Sequence, residues 1–135
     1  MFHISRQIYR DLAPEIADPA QHERVLRACE RVVERLVSDH RYFARPSRTL
    51  FSEIRWCFPL TAQRHVYEVI DGHLQETRAA LRTDNDVAYE LSGVRPRCRA
   101  STRRGTGCGH EPDPRTGYCA WHRHLADDED FALTA

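Results

Sequence analysis

The clearest chemistry in this 135-residue chain lies near its C-terminus, where Cys98, Cys108, Cys119 and His122 follow the spacing Cys-x9-Cys-x10-Cys-x2-His. Three thiolates and one imidazole make a complete tetrahedral donor set for Zn2+, and Cys119 and His122 are close enough in sequence to form half of a knuckle around one ion. His110 and His124 are alternates for the fourth position; His122 is preferred because Cys-x2-His closes most simply. Four protein ligands close the shell, which points to a structural site, since a catalytic zinc keeps one position open. Disulfides are the competing use of these thiols. The odd count of five cysteines and the lack of an export signal favour reduced thiols, and no Cys-x-x-Cys marks a redox centre.

What surrounds the four residues strengthens the metal reading. Between residues 94 and 125 the large apolar side chains are chiefly Val94, Tyr118, Trp121 and Leu125, while Gly105, Gly107, Gly109, Pro112, Pro114 and Gly117 interrupt any long element. Some thirty residues with so little to bury do not fold alone, and segments below about 40 residues need a metal, a disulfide or a partner. Structural zinc supplies on the order of 10 kcal/mol in small finger peptides. The expected layout is a turn over residues 99–106, a second loop over residues 109–117, and Tyr118 and Trp121 packed beside the metal.

The same segment is basic. Residues 94–125 hold seven arginines against two acidic residues, while residues 1–93 hold thirteen against fourteen and residues 126–135 none against four. Arg95, Arg97, Arg99, Arg103 and Arg104 place five guanidinium groups within ten residues, on a turn tied down by Cys98 and Cys108. Guanidinium offers paired donors to a phosphate and is weakly hydrated, so these five are the candidate nucleic-acid contacts. A base could stack on Trp121 or Tyr118. The competing use of the surface is an acidic protein partner, or neutralisation by Asp127, Asp128, Glu129 and Asp130.

The spacing, together with Arg97 before Cys98, Tyr118 before Cys119 and Arg123-His124 after the last ligand, resembles the zinc module of the plant WRC domain and small Cys/His modules appended to bacterial, phage and viral proteins. The resemblance covers residues 95–124. In the plant family the module is associated with DNA binding and nuclear targeting, and the resemblance implies Cys98, Cys108, Cys119 and His122 as ligands. The chain departs from that pattern at Thr106-Gly107, where the plant module has a Trp-Arg pair before its second cysteine.

Upstream, the sequence pattern predicts helices. Asp18-Pro19 is a helix start, and Val25, Leu26, Cys29, Val32, Val33, Leu36 and Val37 form one apolar stripe over residues 19–38. Ser47 is a candidate cap for a second helix, whose Leu50, Phe51, Ile54, Cys57 and Phe58 share a side and which Pro59 stops. A third runs from Thr61 to about residue 82 on Val66, Val69, Ile70, Leu74 and Leu81, and a short one covers residues 5–12. Nine of the twelve aromatics fall within residues 1–93, which places the core there. Cys29 and Cys57 read as buried small hydrophobes. The second and third helices have the order of a helix-turn-helix with Arg64 and His65 leading the reading helix, but Glu68, Asp71 and Glu76 on it would repel phosphates, so the pair reads as bundle packing.

The expected fold is therefore mainly α: a bundle of three or four helices over residues 1–93, a small irregular zinc-binding module over 94–125 and a flexible acidic tail over 126–135. No apolar run approaches the ~20 residues of a membrane span, and the first ten residues contain no apolar signal core. A soluble, cytoplasmic, non-enzymatic protein is expected, with no nucleophile motif, phosphate loop or paired carboxylates. The leading function is a zinc-dependent contact with nucleic acid, with weak sequence preference, in a DNA-binding, transcription-regulatory or accessory role. The alternative is a protein-interaction adaptor, and the helical domain is a candidate homodimer surface.

Overall fold

The computed structural model describes residues 2–40 and 42–134, with side chains throughout except at residue 2 and residues 129–134. Phe2, counted among the aromatics, and Glu129 and Asp130, counted among the acidic groups, therefore have side chains outside the described set. Among the described residues there are six α-helices and no strand, and the only β-pairing is an isolated bridge between Ser101 and Gly107. No helix among the described residues is long and apolar enough to cross a membrane.

The chain forms two compact units, Met1–Ala79 and Ala80–Ala135. In the first, α1 (Phe2–Leu12) and α3 (Pro46–Ile54) both pack on α2 (His22–Ser38). Asp18 caps the entry to α2 as its spacing predicts: its carboxylate accepts from the Ala20 N–H at 3.0 Å, and a short 3-10 turn, Pro19–Gln21, precedes the α-helix. The apolar stripe of α2 is buried as Val25, Ala28, Cys29, Val32, Val33, Leu36 and Val37. Leu50 and Ile54 of α3 and Val66, Ile70 and Leu74 of α4 (Leu60–Thr83) are fully buried as well. At roughly 1.5–3 kcal/mol for each large side chain removed from water, this aliphatic core is ample.

Two expectations for this unit need correcting. Ser47 does not cap α3. Pro46 opens the helix in its first turn, where the missing N–H costs nothing, and the buried Ser47 hydroxyl instead donates to Asp71 of α4 at 2.7 Å. The α3 helix ends at Ile54 and continues as a 3-10 turn, Arg55–Cys57, because the residue before Pro59 is driven into extended geometry. The core lies in this region, as the aromatic distribution predicts, although its largest fully buried side chains are aliphatic: Phe58 is buried, while Trp56 and Tyr42 face solvent. Cys29 is a buried hydrophobe, as its place on the stripe predicts, and burial pushes its thiol up to about 12.

The division at 79/80 falls earlier than the 93/94 boundary suggested by composition. Residues 85–92 form a helix, α5 (Asn85–Ser92), that belongs to the second unit through its buried Asn85, whose side-chain amide donates to the Pro112 carbonyl at 2.7 Å. The sequence pattern leaves this helix unmarked because its apolar face is short. Its ends are nevertheless legible. The Asp84 carboxylate accepts from the Asp86 N–H, and Gly93 stops the helix at φ 74°, a left-handed conformation that suits glycine. The acidic segment expected as a flexible tail has a helical backbone, α6 (Arg123–Thr134), anchored by buried Ala126.

Candidate metal centre

Within the second unit six buried residues, Cys98, Ala100, Cys108, Tyr118, Cys119 and Ala126, form one cluster, with Leu125 packed against them. Three of the six are the sequence-predicted thiols.

Residues 98–108 make a small hairpin. The Cys108 N–H donates to the Ala100 carbonyl at 2.8 Å, Ser101 bridges Gly107, and the Thr102 N–H donates to the Thr106 carbonyl. The tip is a β-turn over residues 102–105, closed by the Gly105 N–H on the Thr102 carbonyl at 2.9 Å, with Gly105 at φ 78°. A turn followed by a left-handed glycine is a common three-residue hairpin loop, and Arg103 and Arg104 occupy its outer corner. The second loop closes on Asp113, whose carbonyl accepts from Thr116 and Gly117 and whose carboxylate accepts from the Arg115 N–H. The Arg99 N–H donates to the Gly117 carbonyl and the Cys98 N–H to the His110 carbonyl, joining loop and hairpin. Both expected loops are therefore present.

These connections bring the four residues together. One donor atom from each of Cys98, Cys108, Cys119 and His122 lies within 4.8 Å of all the others, an arrangement able to hold a metal ion. Cys98 Sγ and Cys119 Sγ approach His122 Nδ1 to 3.5 and 3.3 Å, and Cys108 Sγ is 3.9 Å from Cys119 Sγ. With Zn–S near 2.3 Å and Zn–N near 2.0 Å, a tetrahedron has edges of about 3.8 Å between sulfurs and about 3.5 Å from sulfur to nitrogen. The donor set fits. The alternates do not belong to the group. His110 contributes its carbonyl to Cys98, and the His124 ring lies 6.5 Å from that of His122. Glu111 also stands outside it, accepting from the Asn85 amide at 3.4 Å.

The backbone favours charge on the first thiol. Burial pushes the Cys98 thiol up, but the N–H groups of Cys119 and Ala100 and the neighbouring Cys119 and Cys108 thiols outweigh it and bring Cys98 below its ordinary value. At Cys108 the His110 N–H pulls the thiol down, while burial and the adjacent sulfurs of Cys98 and Cys119 hold it above its ordinary value. Three thiolates this close repel one another, and a cation among them removes that repulsion.

The five arginines singled out as candidate nucleic-acid contacts separate into two groups. Arg95 pairs with Asp86 at 3.1 Å and lies 5.0 Å over the Tyr89 ring, and Arg99 lies 5.4 Å over Tyr118. Arg97, Arg103 and Arg104 are exposed and form no ion pair among the described residues. The aromatic expectation is half right. Tyr118 is buried beside the donors, but Trp121 is 78% exposed, because the 3-10 turn Ala120–His122 that swings His122 inward sends the preceding side chain outward. Asn85 and Asp86, which fasten the second loop and hold Arg95, escape the sequence pattern; the Asp84 cap signal is the available clue.

No family model, curated protein or solved structure matches the chain. The likeness of residues 95–124 to the WRC module thus stands on residue types and spacing.

Proposed function

We propose that this chain is a small zinc-binding protein that contacts nucleic acid through the arginine turn of its metal module, in a regulatory or accessory role on DNA. Zn2+ is the ion best suited to three thiolates and one imidazole in a closed, nearly tetrahedral set. Cys98, Cys108, Cys119 and His122 would hold it, and the ion supplies a fixed frame with no open position for chemistry. The observation that carries the nucleic-acid reading is the hairpin tip: its two ends begin at donor residues, and its outer corner presents Arg103 and Arg104 to solvent. Cations held on a short, anchored turn lose little freedom on meeting phosphate.

The test is a mobility shift of DNA and RNA with and without chelator, with zinc content per chain as the control. Zinc-dependent retardation is expected, steeply weakened by salt because each neutralised phosphate releases a counterion. Arg103→Ala with Arg104→Ala should weaken binding across all sequences alike and flatten the salt slope by about two. Stoichiometric zinc with no retardation rejects the reading.

A second reading, a protein-interaction adaptor, is favoured by two observations. The second unit as a whole holds eight arginines against nine acidic residues, so its basic character is local. On the first unit, Trp56 and Leu60 stand exposed close together in sequence, and such side chains suit protein contact. Binding to a protein partner that survives high salt and is lost on Trp56→Ala would favour it.

A further inference from the structure

The second unit is poor in apolar surface, yet it leaves its largest apolar side chain in water. Trp121 sits between Cys119 and His122, with the His122 N–H bonded to the Cys119 carbonyl at 3.1 Å, so donor residues fix its backbone on both sides. Its indole is 78% exposed, and no ring or guanidinium among the described residues lies over it. The other tryptophan is comparably exposed but differently placed: the Arg55 guanidinium covers the Trp56 ring at 4.2 Å.

A single exposed aromatic is ordinary on a protein surface. Trp121 differs in what shares its frame. Cys98 and Cys108 tie down the hairpin that presents Arg103 and Arg104, Cys119 and His122 flank the indole, and all four donors meet at one centre. An open aromatic face and exposed cations are thereby referenced to the same fixed point. Flat π-surface and cations held on one frame match a ligand that offers a free base face and a phosphate in each repeat. A duplex offers phosphates but keeps its base faces stacked, presenting only base edges in its grooves.

We infer that the metal module binds single-stranded nucleic acid, with Trp121 stacked on an unpaired base and Arg103 and Arg104 on nearby phosphates. The inference rests on the nucleic-acid reading above and adds the strandedness of the ligand. Single-stranded DNA and RNA share the recognised chemistry, and the test separates them.

The zinc-loaded full chain is titrated with oligo(dT), oligo(U) and a duplex of equal length, following both the anisotropy of labelled strands and indole emission. Trp56→Phe leaves Trp121 as the sole indole reporter. Both single strands, or the one preferred, should quench its emission, and the tighter binder identifies the sugar. Trp121→Ala should weaken single-strand binding about tenfold or more, as expected for one lost base stack, with Trp121→Phe restoring most of it and duplex binding unchanged. The quench is read without altering Trp121, so it holds even if Trp121→Ala loses zinc. Absence of a quench, or single-strand affinity untouched by Trp121→Ala, overturns the inference while arginine-dependent duplex binding still supports the nucleic-acid reading. An equal loss on duplex overturns it in favour of insertion between base pairs. No binding to any strand removes both.

Discussion

The two units solve the same problem with different materials. The first buries a continuous aliphatic face: Val25, Val33, Leu36, Leu50, Ile54, Val66, Ile70 and Leu74 are all fully covered. Around its donors the second encloses three sulfurs, two alanines and a tyrosine. Hydrophobic transfer can hold the first together, since each of its large side chains contributes a few kcal/mol. It cannot hold the second, whose alanines and thiols bury little area, so the donor cluster has to supply the difference. Cysteines in the two units differ accordingly. Cys29 is a protonated hydrophobe in an apolar stripe, whereas Cys98 sits under N–H groups that favour its charged form.

The largest effect expected from this contrast is metal removal. A strong chelator, or Cys108→Ser, should unfold the second unit while the first keeps its helices, because binding energy on the order of 10 kcal/mol is folding energy in such modules. Amide hydrogen exchange would read it: protection lost over residues 98–122 and retained in α2. Loss of protection in both units together would mean that the first depends on the second.

The reverse experiment has a smaller effect. Leu36→Ala in α2 deletes a fully buried side chain and should cost about 2–5 kcal/mol. Its signature is a lower unfolding midpoint for the first unit with zinc stoichiometry unchanged. A matching fall in zinc content would break the comparison.

The smallest effect sharpens it within the hairpin. A methyl group at Gly105 would meet nothing within 4 Å, but the backbone there has a φ of 78°. Gly105→Ala therefore creates no clash and costs only the strain of a left-handed backbone, about 1–2 kcal/mol. Zinc should still bind, more weakly, and any nucleic-acid affinity should drop as Arg103 and Arg104 lose their fixed turn. Unchanged zinc affinity would mean that the hairpin tip and the donors are independent.

Much of this is legible in the residues. The α2 stripe follows a 3.6-residue repeat that survives any tertiary context able to bury it, and Asp18-Pro19 starts that helix through contacts two residues apart. The donor set is legible for a chemical reason, since three thiols and an imidazole have few joint uses besides metal. Less legible are α5, too short for a convincing stripe, and the fate of Ser47, whose capping chemistry serves as well for a hydrogen bond to Asp71, 24 residues away.

The sequence by itself determined the helical class, the face that α2 buries, the three thiol donors and the local charge around them, because each depends on residue type and short spacing. Tertiary structure decided which histidine joins the sulfurs, which arginines are engaged by Asp86 and aromatic rings, and that Tyr118 turns inward while Trp121 faces water. Those outcomes depend on which distant segments meet. Periodicity and spacing assign a residue to a face or a turn; only the folded chain determines what lies across from it.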